Sequence, residues 1–149
     1  QFLEGREFTI SIVGNDRLEA FPIWELWFDN LPEGNEAIAT SRVKWDEKYQ
    51  KRVGLCTGRA RDLAPELEEQ IIKIAKRTYR ALHLSGYARI DLRMDAEGRV
   101  YVIEANVNND LTPGEDFPES AKFAGFDYSQ LLQKVLNVGI AYKQAWDHE

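Results

Sequence analysis

Polar and apolar residues alternate over residues 7–13. Phe8, Ile10 and Ile12 fall on one face and Glu7, Thr9 and Ser11 on the other, which is the period of a half-buried strand. Gly14-Asn15-Asp16 marks a turn, and the aromatic-rich residues 21–28 predict a second strand. Pro32 and Gly34 place another turn in residues 31–35. Residues 38–58 show no sustained period. Apart from a short β-prone piece over residues 42–45 they read mostly as loop. Pro65 suits the first turn of a helix, and Glu66, Glu68 and Glu69 complement the positive end of its dipole. Leu67, Ile71, Ile74, Ala75, Thr78 and Leu82 lay one apolar stripe along it, and Gly86 breaks the pattern. Residues 87–94 and 99–105 alternate again around Asp95-Ala96-Glu97-Gly98, the clearest hairpin in the chain. Residues 106–118, with two prolines, read as a polar loop. A last helix begins near Ser129 as N-cap and turns Leu131, Leu132, Val135, Leu136 and Ile140 inward. No repeat or linker divides the chain. Strand, strand, loop, helix, hairpin, loop and helix is the order of an α+β fold, an antiparallel β-sheet with helices packed on one face.

Composition narrows the function classes. The 149 residues carry 44% hydrophobic and 30% charged side chains, a globular balance. Mean hydropathy is -0.47, and no apolar run approaches the roughly 18 residues of a membrane span. The formal net charge of -6 argues against a general nucleic-acid partner. One segment opposes that sign: residues 42–61 hold seven basic and two acidic side chains, a local +5. The single cysteine, Cys56, excludes an internal disulfide framework and a cysteine-based zinc cluster and fits a reducing, cytoplasmic setting.

The candidate chemistry lies on the hairpin. A symmetrical two-residue turn at Ala96-Glu97 sets Arg89 opposite Glu104 and Asp91 opposite Val102. Arg89, Asp91, Glu104 and Asn106 then share a face. Asp91 and Glu104 become diagonal neighbours, roughly 7 Å apart, within reach of one ion. Ala88, Ile90, Leu92, Ile103 and Ala105 take the other face, toward a core. Two carboxylates and an amide are hard oxygen ligands suited to Mg²⁺ or Mn²⁺. A set this small points to a metal–nucleotide more than to a bare structural ion. The same residues also suit a solvated hairpin face with an Arg89–Glu104 cross-strand pair.

The string Gly86-Tyr87-Ala88-Arg89-Ile90-Asp91, followed by the hairpin and Val102-Ile103-Glu104-Ala105-Asn106, resembles the metal-binding hairpin of the ATP-grasp superfamily. The branch it is most similar to is the D-alanine–D-alanine ligase-like proteins. Phe2-Leu3-Glu4-Gly5-Arg6-Glu7-Phe8-Thr9 resembles the hinge and following strand of that family, and Gly125-Phe126-Asp127-Tyr128 its final loop and helix. The resemblance spans nearly the whole chain in the right order. It implies a two-ion Mg²⁺ (or Mn²⁺) site at Asp91, Glu104 and Asn106, with Glu104 bridging. It implies a catalytic Arg89 beside the reacting acyl-phosphate and an ATP site made by Gln1, Phe2 and Leu3 of the hinge, Glu7 at the ribose, and Lys48 and Tyr49 over the terminal phosphate, with Lys48 also counted as catalytic.

The resemblance implies an ATP-dependent carboxylate–amine ligase working through an acyl-phosphate, with a small carboxylate and an amine as substrates. The chain departs from the family after the asparagine. Asn108-Asn109-Asp110-Leu111-Thr112 stands where a Pro-Gly and serine-bearing stretch receives the second substrate, so D-alanine specificity does not carry over. Residues 1–149 are expected to form the C-terminal ATP-grasp subdomain of a larger protein, lacking the N-terminal half and inactive alone. An apolar docking face would then lie open, and self-association as a homo-oligomer is a further expectation. The alternative reading is a non-catalytic interaction module on a degenerate ATP-grasp fold.

Overall fold

The computed structural model describes residues 3–32, 34, 37, 43 and 46–142. Among these residues six strands form one sheet: β1 (Arg6–Val13), β2 (Glu19–Ala20), β3 (Trp24–Phe28), β4 (Leu55–Arg59), β5 (Tyr87–Met94) and β6 (Val100–Asn106). The order is β4-β3-β1-β5-β6, every pairing is antiparallel, and β2 pairs with the end of β1. Among the described residues four helices accompany the sheet: α1 (Glu47–Val53), α2 (Pro65–Ala81), α3 (Asp116–Phe123) and α4 (Tyr128–Ile140). The α+β class and the antiparallel sheet are as the sequence predicts.

The alternation of β1 and β5 sets the layers. Phe8, Ile10, Ile12, Ala88, Ile90 and Leu92 are fully buried beneath Ile71, Ala75 and Tyr79 of α2. Tyr79 lies outside the predicted stripe, yet it is buried and donates its hydroxyl proton to the Gly14 carbonyl at 2.9 Å. Burial pushes its phenol up to about 12. Leu82 of the predicted stripe lies past the last helical turn and is exposed. α2 covers one face. The next residue along β1, Val13, enters a different cluster with Phe21, Phe117, Ala121 and Leu131. Helices α3 and α4 therefore close one end of the opposite face, a second helical layer beyond the single one predicted.

Three local readings are corrected. The stretch read as loop contains α1, capped by Asp46 and stopped by Gly54 at φ 61°, and β4. The polar loop read over residues 106–118 gives way to α3 at Asp116. The last helix is capped by Asp127 rather than Ser129, through a capping box with Gln130. Only part of its apolar stripe faces inward: Leu131 is buried, whereas Leu132, Leu136 and Ile140 are exposed.

A half-buried ion pair ties β1 to β3. Arg6 Nε and Nη2 donate to Glu25 Oε1 and Oε2 at 2.8 and 2.9 Å, and the Arg61 backbone N–H adds a third bond. Burial alone would raise the Glu25 carboxyl, but these donors hold it below its ordinary value.

Candidate active site

The hairpin is built differently at its tip from the symmetrical turn expected. Gly98, at φ 79°, lets a three-residue loop close between Asp95 and Arg99. The Asp95 carboxylate pins that loop. Oδ1 accepts from the backbone N–H groups of Glu97 and Arg99, and Oδ2 accepts from Arg99 Nε at 2.7 Å and the Tyr101 hydroxyl at 3.2 Å. The tip moves the register by one residue, so Met94 pairs with Val100 and Leu92 with Val102. Continued unchanged, that register would set Ile103 opposite Asp91 and turn Glu104 to the far face. A bulge between Asp91 and Leu92 prevents this. Beyond it Asp91 lies directly opposite Glu104, and Arg89 opposite Asn106. The four residues share a face, as the sequence predicts, but as direct rather than diagonal pairs. Ile103 is the extra residue, 55% exposed instead of in the core.

The sheet continues this polar face. Thr9 of β1 lies beside Asp91 and also beside Trp24 of β3. Glu7 lies beside Arg93, which gives it an ion pair at 3.2 Å from Nη1 to Oε2 and also reaches the Gly5 and Ala37 carbonyls. The loop before α3 and the start of that helix bring Asp110, Glu115 and Asp116 over these strands. Together they enclose a cleft of about 540 Å³ that includes Glu7, Thr9, Trp24, Arg89 and Asp91. A larger opening, about 740 Å³, lies between the turn after β1 and α4, away from the paired carboxylates.

Arg89 is the electrostatic centre. Its Nε and Nη2 donate to both Asp91 oxygens at 2.7 and 2.9 Å. Burial would lower the guanidinium, but the bond to Asp91 and the charges of Asp91, Asp116 and Glu104 outweigh it and hold the group above its ordinary value. Asp116 is the residue that sequence reasoning missed. Burial pushes its carboxyl up, against the lowering influence of Thr57, Arg89 and Trp24, while the Asp91 charge pushes it further up. The Trp24 indole N–H is buried and turned toward Asp116 but closes no hydrogen bond. Only the folding of α3 over the cleft brings Asp116 to Arg89, so no local motif could have flagged it.

The remaining predicted residues fall in different places. Asn106 Oδ1 accepts from the Asn108 backbone N–H at 2.9 Å, and its carbonyl accepts from Asn109 Nδ2. Leu3 lies just before β1 and is half-buried. Lys48 is exposed on α1 and does not line the cleft. Tyr49 donates its backbone N–H to Asp46 and carries Arg52 over its ring at 4.9 Å. Gln1 and Phe2 lie outside the described residues. Among the described residues no three His, Cys, Asp or Glu side chains converge as a metal cluster. No described helix is long and apolar enough to cross a membrane.

The family described as "D-ala D-ala ligase C-terminus" matches residues 1–137. The D-alanine–D-alanine ligase of Desulfotalea psychrophila is 31% identical over 142 residues, covering 94% of this chain and 41% of that protein. That of Carboxydothermus hydrogenoformans is 30% identical over 145 residues, with 97% and 43% covered. The chain therefore spans about two-fifths of the length of these curated relatives. Among solved structures, the Bacillus anthracis D-alanine–D-alanine ligase complexed with ATP superposes with a TM-score of 0.70 at 26% identity, covering 94% of this chain and 40% of that one. The VanG D-Ala:D-Ser ligase from Enterococcus faecalis, at 23% identity and a TM-score of 0.71 over 93% of this chain and 37% of its own, shares the fold.

Proposed function

From the premise that the chain belongs to the D-ala D-ala ligase C-terminus family, we propose that it is the ATP- and metal-binding half of an ATP-dependent carboxylate–amine ligase. Residues 1–149 form the C-terminal ATP-grasp subdomain, and an N-terminal half of the same polypeptide supplies the rest of the site. The observation that carries this reading is the placement of Arg89, Asp91, Glu104 and Asn106 on one face of the β5–β6 hairpin.

The donor set fits a hard cation. Two carboxylates and an amide oxygen lie on one face, and Mg²⁺ is commonly held by one or two carboxylates, the rest of its shell coming from water and phosphate. Asp91, Glu104 and Asn106 would hold the ions, which neutralise phosphate charge when bound. Glu7, Leu3, Gln1, Phe2, Lys48 and Tyr49 would serve the nucleotide. The reaction starts with a substrate carboxylate displacing ADP from the γ-phosphorus and becoming an acyl-phosphate. An amine then attacks the acyl carbon and expels phosphate. Arg89 steadies the negative charge that develops in both steps. The carboxylate and amine stay open, because Asn108-Asn109-Asp110-Leu111-Thr112 stands where D-alanine ligases carry a Pro-Gly and serine-bearing stretch. ATP supply places the work in the cytoplasm.

A non-catalytic module finds one supporting observation: both Asp91 oxygens are engaged by Arg89, and Asn106 Oδ1 by Asn108. Hydroxylamine separates the two readings, since it traps an acyl-phosphate as a hydroxamate whatever the natural amine. The full-length protein, given ATP, Mg²⁺ and a panel of amino acids as carboxylates, is expected to form hydroxamate and release phosphate. Asp91→Asn and Glu104→Gln are each expected to slow this at least about a hundredfold. No ATP-dependent hydroxamate from any carboxylate would favour the module.

A further inference from the structure

We propose that Asp116 is a second seat for the Arg89 guanidinium, which leaves Asp91 for Asp116 when a divalent cation takes the Asp91 carboxylate. The inference rests on the reading of Asp91 as a cation ligand. It makes Asp116 a positioning residue that acts through Arg89, not a ligand itself.

Both Asp91 oxygens already accept from Arg89, so a cation meets them with only their second lone pairs free and a guanidinium alongside. A cation entering beside Asp91 would also repel the guanidinium. Arg89 is half-buried, its side chain 24% exposed, and a desolvated guanidinium without an acceptor is costly. It therefore needs another acceptor nearby. Two carboxylates besides Asp91 act on it, Asp116 and Glu104. Glu104 lies directly opposite Asp91 and faces the same incoming ion, which leaves Asp116.

Asp116 is built to wait there. It opens α3, whose following residue Phe117 is buried edge-on against Phe21 and Tyr87, with ring centroids 5.9 and 5.6 Å apart. One turn later, buried Ser120 Oγ meets Ser11 Oγ at 3.1 Å. The helix start is thus bolted to β1, and the carboxylate is held in the cleft without a direct ion pair of its own among the described residues. The exchange keeps Arg89 and Asp91 partnered before and after cation entry: Arg89 with Asp91, then Arg89 with Asp116 and the cation with Asp91.

Mn²⁺ binding to the full-length protein, followed by electron paramagnetic resonance, tests this in wild type, Asp116→Asn, Arg89→Gln and the double variant. Asp116→Asn is expected to weaken Mn²⁺ roughly tenfold when Arg89 is present, the scale of one charged hydrogen bond. In the Arg89→Gln background it should cost no more than about twofold, because Asp91 is already released. Asp116→Glu should recover most of the wild-type affinity. An equal loss in both backgrounds would overturn the exchange, since Asp116 would then act by charge or as a ligand. No loss in either would overturn it too. Failure of wild type and Arg89→Gln to bind Mn²⁺ at all would instead remove the reading of Asp91 as a cation ligand. A second readout is the Arg89 Nε–H signal by NMR. With Mg²⁺ it should shift yet stay protected from solvent in wild type, and lose protection in Asp116→Asn. An unshifted signal at saturating Mg²⁺ would sink the proposal.

Discussion

Strands β1 and β5 present two faces made by alternate residues of the same backbone, and the two obey different rules. On the face beneath α2, Phe8, Ile10, Ile12, Ala88, Ile90 and Leu92 are fully buried, and each position is fixed by packing. On the cleft face, Glu7, Thr9, Arg89 and Asp91 line one cleft with Asp116, and ion pairs tie Arg89 to Asp91 and Glu7 to Arg93. The first face stores stability. The second holds like charges close together around one guanidinium, an arrangement that costs stability and is retained for chemistry.

The contrast is broken most forcefully on the packed side. Phe8→Ala is expected to lower unfolding free energy by about 3–5 kcal/mol, through lost burial and the cavity left behind, read from urea melts. A loss below about 1 kcal/mol would show that this face is not the store of stability. The charged exception on that side is smaller. Glu25→Gln should cost about 1–2 kcal/mol, discounted because Arg6 is partly exposed. Because the folded Glu25 carboxyl lies below its ordinary value of 4.5, its contribution is complete above that pH and is lost as pH falls through the lower folded value. Wild type should therefore lose more stability than Glu25→Gln between pH 6 and pH 3, and parallel curves would refute the assignment.

Tyr79→Phe should cost about 1 kcal/mol at neutral pH for the bond to Gly14. The folded phenol titrates near 12 instead of 10, so above pH 10 the unfolded state loses a proton that the folded state keeps. Stability should then fall as pH rises toward 12, and the slope should be missing in Tyr79→Phe. The smallest effect has the opposite sign. Asp116→Asn removes a carboxylate that burial disfavours and is expected to raise the unfolding midpoint by roughly a degree or two, even as it weakens Mn²⁺ binding. A variant that lost both stability and metal affinity would place Asp116 among the packing residues.

This division also explains what the sequence reveals. β1, α2 and the hairpin are long periodic segments whose partners lie on the packed face, so their alternation reads directly. α1 is a single short helix inside a basic stretch with little apolar period. α3 starts without a side-chain cap and carries Pro118 in its first turn, so it resembles a loop. The face shared by Asp91 and Glu104 is legible, whereas their direct pairing depends on a three-residue tip and a bulge that no residue near Ile103 announces. Asp116 was out of reach for a further reason: its partners Arg89, Thr57 and Trp24 come from three other strands.

The clasp at Asp95 has a consequence for how the protein assembles. Four donors converge on one carboxylate at the hairpin tip, so β5 and β6 can zip from a short, prepaid loop while distant segments are still unordered. The two acids that matter most for chemistry are thereby brought opposite each other by a neighbourly event, and the rest of the sheet arrives at a platform already laid.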